Sequence, residues 1–99
     1  MMMKEIIINN VKYLIKKNER DALDNASLDE KLTDYYNNYD YIVGDWAYGK
    51  LRLKGFNNKK NRNYKKINDV ANLDEYINDY CAYGCRWFML EKINNSLEK

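Results

Sequence analysis

The sequence contains no proline, no histidine, only four glycines and two cysteines. Without proline, its loops must take their shape from Gly and Asn. Without histidine, a zinc site would have to add carboxylates or a second subunit to the two thiols, so no metal site is expected. No apolar stretch approaches bilayer length, the longest early one being Ile6-Ile7-Ile8, and no membrane role is expected. Met1 to Lys4 does not lead into a signal-peptide core. Two cysteines and no export signal point to a reducing compartment, and a cytoplasmic location follows as the expectation.

What is present suits one folded domain. Ninety-nine residues leave room for a single core. Apolar residues make up 45% and charged ones 32%, which separates the chain from disordered sequences. Ten tyrosines, two tryptophans and two phenylalanines allow rings to supply much of the core volume. A single domain over residues 1–99 is expected, its core within about 4–92 and a frayed tail over 93–99.

Along the chain, Ile6-Ile7-Ile8, the turn-prone pair Asn9-Asn10, and alternating Val11, Tyr13 and Ile15 read as a hairpin. Ser27 and Glu30 have capping-box spacing, and Leu28, Leu32 and Tyr35 recur at helical spacing, predicting a helix over about 27–37. Residues 39–46 and 50–56 form a second hairpin. A two-residue turn at Tyr48-Gly49 sets Trp46 against Leu51 and Asp45 against Arg52, pairing ring with Leu and charge with charge. A three-residue turn would instead set Trp46 against Lys50, and Tyr at positive φ speaks for it. The first register is preferred.

Residues 57–66 are polar, basic and read as a loop. Val70, Leu73, Ile77 and Tyr80 then lie on one helical face, with Asp69 or Asn72 as cap and Gly84 as stop. The apolar strand at 86–92 should be central. The order ββ-α-ββ-α-β predicts an α+β domain: a mainly antiparallel sheet of about five strands, with two helices covering a face.

Two blocks, YIVGDWAYGKLRLKGF and DYCAYGCRWFMLEK, closely resemble the YutD-like family of small bacterial proteins, found mostly in low-GC Gram-positive bacteria. The likeness spans roughly Lys4 to Lys92. The motif positions it carries are Gly44, Asp45, Trp46, Gly49, Leu51, Arg52, Lys54, Gly55, Phe56, Cys81, Gly84 and Cys85. The family pattern usually has Gly at Ala47 and Asn-Phe at Ala82-Tyr83. The resemblance implies a small α+β cytosolic bacterial protein, and neither a reaction nor a cofactor.

The charge distribution offers the strongest functional signal. Eight basic residues and no acid lie between positions 50 and 66: Lys50, Arg52, Lys54, Lys59, Lys60, Arg62, Lys65 and Lys66. The rest of the chain holds nine basic and fifteen acidic residues, so the formal net charge of +2 conceals a +8 segment against a −6 remainder. Strand alternation puts Lys50, Arg52 and Lys54 on one face, and Tyr48 and Tyr64 could stack on bases. A phosphate-contacting surface for RNA or a ribonucleoprotein is the leading expectation. The bland alternative is a solvated Lys-rich loop with Arg52 neutralised by Asp45.

A protein-interaction adaptor anchored by Trp46, Tyr48 and Phe56 is the second reading. Cys81 and Cys85, spaced C-x3-C near the end of a helix, fit packed thiols better than a redox pair, which favours a helix start. Asp45 could serve as a general base, yet with no histidine and no nucleophile motif no catalytic residue is assigned. No cofactor is expected.

Overall fold

The computed structural model describes residues 4–80 and 86–93. Five strands form one antiparallel sheet in the order β1-β2-β5-β3-β4: β1 Glu5–Ile8, β2 Val11–Glu19, β3 Tyr41–Ala47, β4 Lys50–Phe56 and β5 Trp87–Lys92. Asn9 and Asn10 close the first hairpin at φ 51° and 68°, in the left-handed region that Asn tolerates. β5 carries Phe88 and Leu90, both fully buried, and lies between β2 and β3, the central place its apolar density predicts.

The helical segments depart from the sequence reading. The helix expected over 27–37 is two pieces: α1, Asn25–Lys31, and a 3-10 turn, Asp34–Asn38. Leu32 leaves helical geometry at φ −87°, ψ 81°, and its carbonyl accepts a 2.5 Å hydrogen bond from the Asn9 side-chain amide. That long-range bond satisfies a terminal carbonyl where the helix breaks. Ser27 does not act as the cap; its hydroxyl donates to Asp24 Oδ2, 2.7 Å away. The second helix, α2, covers Leu73–Tyr80 and is entered through two 3-10 turns, Lys66–Asn68 and Val70–Asn72. Asp69 is the cap of the second of these, accepting from Ala71 N–H at 2.9 Å.

The helices also divide between faces rather than sharing one. On the first face, Leu28 of α1 and Leu32 just after it pack with Tyr13, Ile42, Leu51, Phe88 and Leu90. Register places Val43 and Phe56 on the other face, where the Tyr76 ring of α2 meets Phe56 at 5.5 Å, nearly edge-on. A Cβ at Gly44 would run into the Phe88 ring, and one at Gly55 into the Tyr39 ring, so both positions are small for space. Ile93, expected to be frayed, donates its N–H to Lys12 O at 2.9 Å; residues 94–99 lie outside the described residues.

Candidate binding surface

The β3–β4 hairpin adopts the register that pairs ring with Leu and charge with charge. Trp46 lies opposite Leu51, Gly44 opposite Leu53, Asp45 opposite Arg52 and Ala47 opposite Lys50. Tyr48 and Gly49 form the two-residue turn with φ 54° and 75°, and the Tyr48 side chain is 101% exposed. The sheet twist favours such a turn strongly enough to hold a tyrosine in left-handed geometry.

Lys50, Arg52 and Lys54 share the face that carries Asp45, but they differ in what they face. Asp45 is 2% exposed and accepts from Arg52 Nε at 3.0 Å and Nη2 at 2.6 Å. These bonds raise the Arg52 pKa above its ordinary value and fix the guanidinium at the sheet. Lys54 places its ammonium 5.3 Å from the Phe56 ring centre and 6.0 Å from that of Tyr76, and donates to Asn68 Oδ1 at 3.3 Å. Arg52 and Lys54 thus hold the fold together, while Lys50 is exposed.

The basic loop is held by a network of hydrogen bonds, and its organiser is Asn57. This side chain is fully buried, and its Oδ1 accepts from Asp40 N–H at 2.8 Å and from Asn61 Nδ2 at 3.1 Å. Its backbone N–H donates to Asn68 O at 2.7 Å, and its carbonyl accepts from Val70 N–H at 3.1 Å. Asp40 accepts in turn from Asn58 N–H and Asn61 Nδ2. At the far end, Tyr64 donates its hydroxyl to Asp69 Oδ2 at 2.8 Å. The Ala71 N–H and the Tyr64 hydroxyl together lower the Asp69 pKa, and the same carboxylate raises that of Tyr64. With the backbone tied down, Lys59, Lys60, Arg62, Lys65 and Lys66 all project into solvent.

The expected residues are therefore only partly brought together. Tyr48 sits at the hairpin tip and Tyr64 beyond the other end of β4, about 23 Å of strand away at 3.3 Å per residue. With its hydroxyl tethered, Tyr64 does not form a stacking platform with Tyr48. Of the three proposed adaptor anchors, Phe56 is internal and Trp46 is partly buried. Phe56 is 1% exposed. Trp46 donates from Nε1 to Ala22 O at 2.8 Å, and the Arg86 guanidinium covers its ring at 5.1 Å.

Tyr35 and Ile67, 69% and 74% exposed, flank the basic side chains and were not singled out by the sequence. Tyr35 enters the sequence pattern only as part of the helical spacing with Leu28 and Leu32. A recess of about 440 Å³ joins Tyr35 and Tyr39 to Arg62 and Lys65. A groove of about 500 Å³ continues along β4 past Arg52, Leu53 and Lys54. Cys81, Gly84 and Cys85 lie outside the described residues. Among the described residues, no group of three or more Cys, Asp or Glu could hold a metal, and no helix is long and apolar enough to cross a membrane.

Comparison with known proteins agrees with the two sequence blocks. The family model described as "Putative antitoxin YutD-like" matches residues 7–91. "Putative antitoxin YutD" of Bacillus subtilis (strain 168) is 41% identical over 88 residues, covering 89% of this chain and 97% of that protein. The solution NMR structure of protein yutD from B. subtilis superposes with a TM-score of 0.74 at 40% identity, covering 91% of this chain and 82% of that one.

Proposed function

The chain belongs to the YutD-like family, and we propose that it is a non-catalytic binding module whose contact surface is β4 and the loop over 57–66. Its partner is a protein that presents acidic groups. The family description as an antitoxin supports a role exercised by binding. The observation that carries the reading is the hydrogen-bonded loop, which presents five cations and no carboxylate on a backbone tied by Asn57 and Asp40. Such a surface attracts an anionic partner and loses little conformational entropy on docking.

RNA is the second reading, favoured by the same cations and by exposed Tyr35 beside Arg62 and Lys65. It ranks lower because Arg52, Lys54 and Tyr64 are engaged within the fold, leaving fewer groups for phosphates and bases. Affinity capture from a native lysate, with and without nuclease, separates the two. The expected result is one stoichiometric protein that survives nuclease and is lost from K59E/K60E/R62E/K65E. Capture that disappears with nuclease would replace the protein reading with RNA. Capture indifferent to charge reversal would remove the surface altogether.

A further inference from the structure

The hydrogen-bond phase of the sheet leaves one edge of β4 open. Trp46 N–H donates to Arg86 O at 3.1 Å and Lys92 N–H to Asp40 O at 2.8 Å, so the even residues of β3 bond to β5 and the odd ones to β4. The β4 partners of those odd residues are Lys50, Arg52 and Lys54, which turn their backbone groups inward. Leu51, Leu53 and Gly55 then direct their N–H and C=O groups outward. Asn57 continues this phase, and there the chain pairs with itself: Asn68 O and Val70 N–H take the two outward groups, in a parallel bridge with Asp69. No such bond reaches Leu51, Leu53 or Gly55 among the described residues.

We propose that an extended segment of the partner, alternating acidic and apolar residues, adds to the sheet along β4 between Leu51 and Gly55. This proposal rests on the protein-partner reading and specifies how that partner is held. The open stretch is about 13 Å long at 3.3 Å per residue, enough for four or five residues of added strand. Alternation would turn one set of its side chains to the face of Lys50, Arg52 and Lys54, and the other to Tyr35 and Tyr39. Lys50 is exposed on that face and Lys65 lines the groove, whose lining holds no carboxylate, which selects acids for the first set. The exposed Tyr35 ring offers apolar contact to the second.

The same charges reject another copy of this chain. Antiparallel pairing of two β4 edges about Arg52 would set Arg52 against its copy and Lys50 against Lys54, an arrangement that like charges disfavour. The edge is therefore protected from self-pairing and still open to an acidic strand.

The test uses the full chain and a capped eight-residue peptide alternating glutamate with valine or threonine. Amide hydrogen exchange should slow about tenfold or more at Leu51 and Leu53 on saturation, and N-methylation of alternate peptide residues should abolish binding. The variant L53P removes an outward N–H on an edge strand where proline is tolerated, and should weaken binding about tenfold with a thermal melt still cooperative. Should L53P fail to fold, the N-methylated peptide still decides. Binding that leaves both amides unprotected, or that tolerates N-methylation, overturns the edge pairing while the acidic-partner reading stands. No binding at millimolar peptide, or dimerisation of the chain through β4, overturns it as well. A uridine decamer that protects the same amides removes both readings.

Discussion

At Asn57, one buried amide holds together segments that are far apart in sequence. It reaches back to Asp40 and forward to Asn61, and its backbone bonds the 68–70 segment. Asn57→Ala should cost about 1–3 kcal/mol, since buried partners lose their bonds without gaining water. The same substitution should speed amide exchange across 58–64, and thermal melts with exchange mass spectrometry would measure both. Nothing local in the sequence announces this role. Four asparagines in seven residues read as turn chemistry, and the partners that convert a turn into an anchor lie 17 residues upstream and 11 or more downstream.

Asp69 gives the same loop a pH dependence. Its folded pKa is lowered by the Ala71 N–H and the Tyr64 hydroxyl, so the unfolded carboxyl binds protons more readily than the folded one. The stabilisation is complete above the unfolded pKa of about 3.9 and is lost as pH falls through the lower folded value. Acid titration by NMR should show the Ala71 and Tyr64 signals moving together below about pH 4. In Asp69→Asn that shared transition should vanish.

Among the elements, the β3–β4 hairpin was the most legible. Its register follows from charge beside charge and ring beside Leu, both contacts between residues only a few positions apart. The α1 segment was less so. Its periodicity runs past Leu32, yet the Asn9 amide and the break at Leu32 divide it into a helix and a 3-10 turn. Periodicity records which side chains face inward: Leu28 and Leu32 are buried as it indicates, whereas Tyr35, the next residue of the pattern, is exposed in the 3-10 turn. It does not record a break at which a distant hairpin turn supplies the partner.

The hairpin tip separates fold from contact. Tyr48 occupies a left-handed conformation that Asn adopts more readily, and its ring touches solvent alone. Tyr48→Asn should therefore raise stability by about 0.5–1 kcal/mol in a denaturant titration. Loss of partner affinity in the same variant would identify the ring as a contact; unchanged affinity would confine the interface to the edge and loop.

At the scale of the whole molecule, charge and architecture combine. The +8 segment lies on the last strand of one sheet edge and the loop that follows it, while the −6 remainder spreads over the other elements. The two faces also have distinct loads. One is closed by α1 with Leu28 and Leu32, the other by α2 through Tyr76 against Phe56. The sequence pattern indicated two helices on a sheet, but assigning each to its own face requires the strand register, since one residue of slip exchanges the faces.

The strand order carries a consequence for how the chain is made. β5 is the last of the five strands to leave the ribosome, yet it is the one that joins the β1–β2 hairpin to the β3–β4 hairpin. Until it emerges, each hairpin is a separate two-stranded piece, marginal in water. A chain ending at Arg86 should show no cooperative melt by circular dichroism. Synthesis is in effect the clock of this fold: a nascent chain paused before Trp87 exposes both inner strand edges to proteases and chaperones, and completing the last strand closes them together.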